Sequence, residues 1–266
     1  MDDMTSGVLL DISGVLYEGD HVISGAPEAV ACLRARNIPV RFLTNTTRRP
    51  KRVIIDRLNG FGFEAASSEV MTPAQAACDW LARNGYTAHL LVHPDLEEDF
   101  KALKQGNSVA VVVGDAGTSF DYQKLNAAFR HLVNGAPFLA LASNRVFRDA
   151  DGQLSLDAGA FVHGLEYAAD VAATVLGKPS GAFFQAGASS MGCPLSDVVM
   201  IGDDAENDVA GALNAGVGRA ILVRTGKYRP GDATRYDTAP SLVAASISEA
   251  VATVLSQQRD TGRLSR

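Results

Sequence analysis

The stretch GVLLDISGVLYEGD, residues 7–20, decides how the rest of the sequence is interpreted. A short apolar run ends in a single carboxylate, Asp11, and Ser13 follows two positions later. A continuous apolar run of this kind predicts a strand that is buried on both faces, as in a parallel sheet covered by helices. Asp11 is therefore predicted at the carboxyl end of a buried strand, where a serine, a glycine and a tight reversal follow it.

Further apolar runs alternate with helical patterns along the chain, which predicts an α/β protein. Ser24 and Pro27 carry the signals of a helix start, as do Thr72 and Pro73, and the second of these helices is predicted to end at Gly85. More helical patterns occupy 122–135 and 181–192. We predict strands at 7–11, 38–43, 88–92, 108–113, 138–142, 172–176, 197–201 and 219–223.

Composition limits the classes of function. The chain has 266 residues, of which 47% are hydrophobic and 20% charged, so it can bury a large core. A net charge of −6 argues against nucleic acid or an anionic membrane as a partner. Three cysteines without metal-type spacing predict reduced thiols. No signal peptide and no apolar run of membrane-spanning length is evident, so we expect a cytoplasmic protein without a membrane segment.

Four polar clusters follow apolar runs of the sequence. In open parallel sheets, ligands bind outside the carboxyl ends of the strands, so four clusters at that edge would converge on one place. Taken singly, each has an ordinary structural explanation as a helix cap or a turn. The clusters are Asp11, TNTT (44–47), GKPS (177–180) and GDDAENDV (202–209).

The residue types in these clusters suit one task, the transfer of a phosphoryl group from a small phosphorylated substrate. Such transfer requires positioning and neutralisation of charge, which a Mg²⁺ ion held by carboxylates and a lysine can supply. A carboxylate can also be the nucleophile and form an aspartyl-phosphate. Hydroxyl, amide, ammonium and carboxylate groups are supplied by Thr44, Asn45, Lys178, Asp11, Asp203, Asp204 and Asp208.

The segments DISGVLY, LTNTT, GKPS and GDDAENDV resemble motifs I to IV of the haloacid dehalogenase (HAD) superfamily of aspartate-nucleophile phosphatases. The long insert between the second and third motifs resembles the large α/β cap of the NagD-like group. The resemblance implies a Rossmann-like core with a parallel sheet (1–74 and 173–266), an inserted α/β cap (75–172) and a Mg²⁺ cofactor. It also implies that two copies can pair through the cap to form a homodimer.

The same resemblance implies a role for each motif residue. Asp11 would be the nucleophile and a metal ligand, and Ser13 would offer its backbone carbonyl to Mg²⁺. Thr44 and Asn45 would hold the phosphoryl group, while Lys178 balances its charge. The remaining carboxylates would serve the metal, directly for Asp203 and as supporting groups for Asp204 and Asp208.

Ser13 departs from the usual family pattern, Asp-x-Asp, whose second aspartate protonates the leaving oxygen. A serine hydroxyl can donate a hydrogen bond but is a poor proton source at neutral pH. A positioned general acid contributes about 10²–10⁴-fold, or roughly 3–5 kcal/mol of barrier. We therefore expect substrates with good leaving groups: inorganic pyrophosphate, phosphoramidates such as phospholysine and phosphohistidine, and aryl phosphates.

Other functions compete with this hypothesis. A catalytically weak protein of the same fold could bind a phosphorylated ligand or act in regulation, and a broad-specificity small-molecule phosphomonoesterase would carry the same motifs. A response-regulator receiver also uses an aspartate, a threonine and a lysine around Mg²⁺. Its phosphorylated aspartate, however, follows the third strand and it has no large insert, so we rank it lowest.

Two basic stretches keep alternative interpretations. RRPKR (48–52) forms either a solvated helix face or a contact between one arginine and a bulky phosphate substrate. RTGKYRP (224–230) follows a predicted strand and forms either a surface loop or the rim of the site.

Overall fold

The computed structural model describes residues 5–148 and 153–264. They form two compact units, and the chain crosses between them four times. Three stretches that the sequence analysis groups with the first unit cluster with the second: 45–54, 72–74 and 173–177. The first unit consists of Met1–Thr44, Ile55–Met71 and Lys178–Arg266, and the second of Asn45–Ile54 and Thr72–Gly177.

The described residues alternate between strands and helices, as the sequence predicts. Within them, no helix has both the length and the apolar composition needed to cross a bilayer. The strands are β1 (Gly7–Asp11), β2 (Tyr17–Glu18), β3 (His21–Val22), β4 (Val40–Leu43), β5 (Val70–Met71), β6 (Tyr86–Leu91), β7 (Ser108–Val113), β8 (Phe138–Ala140), β9 (Val146–Arg148), β10 (Leu154–Leu156), β11 (Thr174–Val175), β12 (Val198–Gly202), β13 (Arg219–Val223) and β14 (Leu242–Ala244). The helices are α1 (Ala26–Arg34), α2 (Lys51–Gly60), α3 (Pro73–Asn84), α4 (Tyr122–Val133), α5 (Ala158–Ala169), α6 (Gly181–Ser190), α7 (Gly211–Ala215) and α8 (Ile247–Leu264).

The first unit is built on a six-stranded parallel sheet in the order β14–β13–β12–β1–β4–β5. Every residue of β1 and β12 is buried, which agrees with the continuous apolar runs in the sequence. Register aligns the ends of the three central strands, because Asp11 pairs with Leu43 and Leu10 pairs with Ile201. The polar residues that follow these strands therefore leave the sheet at one edge.

The second unit contains a four-stranded parallel sheet in the order β11–β8–β7–β6 and the antiparallel pair β9–β10. Separate apolar clusters cover the two faces of the parallel sheet. One includes Leu81 of α3 and Val112 of β7, and the other includes Leu132 of α4 and Val113 of β7. Alternate residues of β7 thus point to opposite faces, and helices cover both, which explains the uninterrupted apolar run. The predicted α/β class is confirmed.

The structure corrects one step of the sequence analysis. The predicted strand 172–176 precedes GKPS and was expected at the edge where the other polar clusters meet. The observed strand β11 instead pairs with β8 in the sheet of the second unit, Thr174 with Leu139 and Val175 with Ala140. An apolar run predicts a strand but carries no information on which sheet receives it, since pairing is a long-range property.

Of the two helix starts predicted from capping residues, one differs in the structure. Helix α1 begins after Gly25 rather than at the predicted cap Ser24, and within the described ranges no side chain caps it. Helix α3 begins after Thr72, whose Oγ1 accepts a hydrogen bond from the Gln75 N–H at 3.2 Å, and it ends before Gly85. The predicted Thr72–Gly85 helix is therefore confirmed at both ends.

Replacing Thr72 by alanine should lower the free energy of unfolding by about 1 kcal/mol, because the Gln75 N–H loses its acceptor. Urea unfolding can be followed by the fluorescence of Trp80, the only tryptophan of the chain, which lies on α3. Thr72→Ser is the matched control, since it keeps the hydroxyl and removes only the methyl group. Equal losses for the alanine and serine variants would contradict a capping role.

Candidate active site

Asp11 is the last residue of β1 and is only 6% exposed. The chain reverses directly after it: the Ile12 carbonyl accepts the Leu16 N–H at 2.9 Å, and the Gly14 N–H donates to the Tyr17 carbonyl at 2.8 Å. Ser13 lies in this reversal and is exposed. The predicted order of carboxylate, serine and tight turn is therefore present, and of its two polar side chains Asp11 is buried and Ser13 is exposed.

Lys178 is 3% exposed and lies between two carboxylates. Its Nζ donates to Oδ1 of Asp11 and, at 2.5 Å, to Oδ1 of Asp208. Burial by itself would lower the pKa of Lys178, but the two carboxylates more than reverse this effect and raise it. Lys178 is therefore held as an ammonium beside Asp11.

Three carboxylates of the first unit come together at this edge of the sheet. One ligand oxygen each from Asp11, Asp203 and Asp208 lies within 4.8 Å of the others. Burial, followed by the charges of Asp11 and Asp208, raises the pKa of Asp203 to about 8. Burial also raises the pKa of Asp208 to about 7; Lys178 opposes this shift and Asp11 adds to it.

The donor set of this cluster fits a divalent cation. Within residues 5–148 and 153–264, Oδ1 of Asp203 is a buried oxygen without a hydrogen-bond partner. A buried, unpaired carboxylate oxygen is costly unless a cation or water satisfies it. Magnesium prefers oxygen ligands and is commonly held by one or two carboxylates, which matches Asp11 and Asp203.

Asp204 and Asp208 are engaged by groups of the protein. Oδ1 of Asp204 accepts the N–H groups of Glu206 and Asn207 at 3.1 and 3.0 Å, so this side chain caps the helical segment Ala205–Ala210. Oδ2 of Asp208 accepts the Asp204 N–H at 3.2 Å, and its other oxygen binds Lys178. These bonds fix the chain directly after Asp203.

The two predicted phosphoryl-binding residues are placed differently. Thr44 directly follows β4, is 3% exposed, and donates its N–H to the Met71 carbonyl at 3.2 Å. It leaves the sheet beside Asp11, since Asp11 pairs with Leu43. Asn45 clusters with the second unit, so its role toward a substrate stays a prediction.

The basic stretch RTGKYRP (224–230), for which the sequence left a surface loop or the rim of the site open, contacts two aspartates of the site. The Lys227 N–H donates to Oδ2 of Asp203 at 2.7 Å, and Lys227 Nζ donates to Oδ2 of Asp204 at 3.1 Å. In the sequence, only the position of this stretch directly after a predicted strand indicated that it could reach the site.

In the other basic stretch, Arg48 pairs with Asp115 through Nε and Oδ2 and lies 4.4 Å from the centre of the Phe147 ring. Both partners belong to the second unit. This arginine is therefore tied to a buried carboxylate rather than part of a solvated helix face.

Comparison with known proteins places these motifs in a family. Residues 8–105 match the model of the haloacid dehalogenase-like hydrolases, and residues 175–250 match a further HAD-hydrolase-like model. The chain is 43% identical over 248 residues to the haloacid dehalogenase-like hydrolase domain-containing protein 2 of Bos taurus, covering 93% of this chain and 95% of that protein. It is 39% identical over 251 residues to the phospholysine phosphohistidine inorganic pyrophosphate phosphatase of Rattus norvegicus, covering 92% of both.

A solved structure agrees with this assignment. NagD from E. coli K-12 superposes with a TM-score of 0.81 at 25% identity, over 92% of this chain and 98% of NagD. The resemblance to the NagD-like group that the sequence analysis stated is confirmed. The chain therefore belongs to the haloacid dehalogenase-like hydrolase family, and it is an enzyme, a phosphatase of that family.

Proposed function

We propose that this protein is a Mg²⁺-dependent phosphohydrolase in which Asp11 is the nucleophile. The observation that supports this most strongly is the arrangement around Asp11, which has the Lys178 ammonium on one oxygen and the Asp203 and Asp208 carboxylates within 4.8 Å. A nucleophile for phosphorus, a fixed positive charge and a set of cation ligands are thereby combined in one buried cluster.

The reaction has two steps at the Asp11 carboxylate. In the first, an Asp11 oxygen forms a bond to phosphorus while the bond to the leaving group breaks, and the leaving group takes the bonding electron pair. In the second, water attacks the phosphorus of the aspartyl-phosphate, which releases inorganic phosphate and restores the Asp11 carboxylate. Covalent catalysis of this kind divides one difficult displacement into two easier ones.

Lys178 and Thr44 act on the transferring group in this proposal. The Lys178 ammonium is held by two carboxylates, so it is in place before the substrate arrives. A fixed charge of this kind stabilises the negative oxygens of the transition state without reorganisation during the reaction. The Thr44 hydroxyl, and Asn45 beyond it, would donate hydrogen bonds to the same oxygens.

Asp11, Asp203 and the Ser13 carbonyl would hold the magnesium ion, with Asp208 and Asp204 supporting them. When bound, the ion neutralises charge on the phosphoryl oxygens. Oδ1 of Asp203, which has no hydrogen-bond partner among the residues that the structure describes, is the feature that most directly supports such a ligand set.

Ser13 restricts the substrates that this site can use well. No carboxylic acid stands at its position, so an alkoxide would have to leave without a carboxylic proton donor there. The conjugate acid of an alkoxide is nearly as weak as water, whose pKa is about 15.7, so the alkoxide is a poor leaving group. A phosphate leaving group has a second pKa of about 6 and needs no such help. We therefore propose that compounds with P–O–P or P–N bonds and aryl phosphate esters are the preferred substrates. This class includes phospholysine, phosphohistidine and pyrophosphate, which appear in the name of the rat relative.

Two alternatives predict different activity profiles. A broad-specificity phosphomonoesterase would hydrolyse hexose phosphates as fast as pyrophosphate or imidodiphosphate. A catalytically weak, ligand-binding relative would bind phosphate but turn over none of these substrates measurably. Dimer formation through the second unit and a cytoplasmic location stay predictions.

Asp11→Asn should abolish Mg²⁺-dependent hydrolysis of pyrophosphate and p-nitrophenyl phosphate, because an amide cannot form the acyl-phosphate bond. Initial rates of parent and variant, purified in parallel, test this. Asp20→Asn is the matched control, since it makes the same change at a side chain that is 94% exposed and forms an ion pair with Arg57. An Asp11→Asn variant as active as the parent would remove Asp11 as the nucleophile.

Ser13→Asp should raise kcat/KM for alkyl phosphates by at least about tenfold and change pyrophosphate hydrolysis much less, since only the alkoxide needs a general acid. The test is a panel of alkyl, aryl, P–N and P–O–P substrates. Ser13→Asn supplies a side chain of the same size without the acid and should leave the preference unchanged. Equal effects of both variants on alkyl substrates would mean that the proton comes from another group.

The melting temperature should respond more to Mg²⁺ at high pH than at low pH. Because the pKa values of Asp203 and Asp208 are raised in the folded protein, the metal-free fold retains protons that the unfolded chain has lost, so its stability falls between about pH 4 and pH 8. Mg²⁺ binds the deprotonated form, and its stabilisation should therefore increase up to about pH 8. Thermal unfolding with and without Mg²⁺ at about pH 6 and about pH 8 measures this.

In Asp203→Asn, Mg²⁺ should no longer raise the melting temperature at either pH. In Asp20→Asn, Mg²⁺ should raise the melting temperature as in the parent, and more at the higher pH. A Mg²⁺-induced shift in the parent that is the same at both pH values would contradict a role for the raised carboxylates in binding the ion.

A further inference from the structure

The loop Thr225–Lys227, which follows β13, holds one oxygen of Asp203. The Lys227 N–H donates to Oδ2 at 2.7 Å, whereas Oδ1 of the same carboxylate has no hydrogen-bond partner in the described part of the chain. A backbone donor cannot change its rotamer, so it fixes the rotation of the carboxylate and directs the other oxygen. This division leaves Oδ1 as the atom offered to a cation.

Two glycines enclose the oxygen that Lys227 holds. A Cβ atom built on Gly14 or on Gly226 would overlap Oδ2 of Asp203, and the same atom would lie 2.9 Å from the Gly226 Cα or 2.5 Å from the Gly14 Cα, respectively. Their φ values are +85° and +62°, which side chains rarely adopt. The loop after β13 and the turn after β1 thus approach each other across Asp203 as closely as glycine permits.

Side-chain bonds connect the same loop to both neighbouring motifs. The Thr225 hydroxyl donates to the Gly14 carbonyl, in the turn that follows Asp11. Lys227 Nζ donates to Oδ2 of Asp204 at 3.1 Å, although the Lys227 side chain is 61% exposed. The loop therefore joins the turn of the nucleophile to the acidic segment that follows β12.

We propose that Thr225, Gly226 and Lys227 are positioning residues for the metal ligand Asp203 and set the affinity of the site for Mg²⁺. The inference rests on the proposed function, because it assumes that Asp203 binds the ion. Groups that orient a metal ligand typically change metal affinity by about 10–100-fold when they are removed. The hydrogen bonds of the loop go to Asp203, Asp204 and the Gly14 carbonyl, so it acts on the metal site through these groups.

Gly226→Ala tests the close approach. The added methyl group must displace Oδ2 of Asp203 or the Gly14 backbone, so Mg²⁺ binding should weaken by about 10–100-fold. Gly231→Ala is the matched control: Gly231 lies nearby in the sequence and has a φ of +96°, but a Cβ there meets nothing within 4 Å among the described residues. Both variants place an alanine at a positive φ, and only the alanine at position 226 meets Asp203.

The measurement is calorimetric titration of the full chain with Mg²⁺ in the absence of substrate. Activity as a function of Mg²⁺ concentration is a second readout. Gly226→Ala should raise the half-saturating Mg²⁺ concentration far more than it lowers kcat at saturating metal. Gly231→Ala should bind Mg²⁺ like the parent even where its melting temperature falls as much.

Thr225→Val and Thr225→Ser form a second, milder pair. Valine preserves the shape of threonine and removes the hydroxyl that binds the Gly14 carbonyl, so Thr225→Val should bind Mg²⁺ more weakly. Serine keeps the hydroxyl, so Thr225→Ser should bind Mg²⁺ like the parent. This pair remains informative if Gly226→Ala does not fold.

The outcomes separate the two proposals. A parent protein that binds no Mg²⁺ by calorimetry would overturn the proposed metal site itself. A parent that binds Mg²⁺, together with Gly226→Ala and Thr225→Val variants whose affinity equals that of Gly231→Ala and Thr225→Ser, would overturn the positioning role alone. Weaker binding confined to Gly226→Ala and Thr225→Val would support it.

Discussion

The site depends on the buried ion pair network in which Lys178 lies between Asp11 and Asp208. Three carboxylates, counting Asp203, face one ammonium, so the ionised cluster carries two uncompensated negative charges. The raised pKa values of Asp203 and Asp208 are the expected response of a buried, acid-rich cluster. Removing one partner of a buried ion pair typically lowers the free energy of unfolding by about 3–5 kcal/mol, because the remaining charge is left uncompensated. The surrounding fold must therefore hold Lys178 and its two carboxylates together.

Parallel strand register supplies the fixed frame. β12, β1 and β4 are neighbours, and their ends are aligned, so Asp203, Asp11 and Thr44 leave the sheet side by side. Asp11 is the last residue of its strand, whereas Thr44 and Asp203 directly follow theirs. A rigid sheet edge that presents short loops is a common way to build a precise ligand site in α/β proteins.

The loops around Asp203 fix the orientation of its carboxylate and the path of the chain that follows it. One oxygen of Asp203 is fixed by the Lys227 N–H, while the other has no partner within the described ranges. Asp204 caps the following helical segment, which fixes the chain after Asp203. Ser13, in contrast, is exposed and adds no carboxylate to the cluster.

Local sequence patterns determined the α/β class, the buried strand that ends at Asp11, and the helix from Thr72 to Gly85, because periodicity, capping and glycine act over a few residues. Motif order also predicted that Asp11, Lys178 and the later carboxylates would meet. Strand β11 lies in a different sheet from the one that the sequence predicted, and the contact of Lys227 with Asp203 was not predicted. Both depend on which distant segments pair and on loop paths in three dimensions, and neither leaves a periodic or capping signal in the chain, so only the tertiary structure decided them.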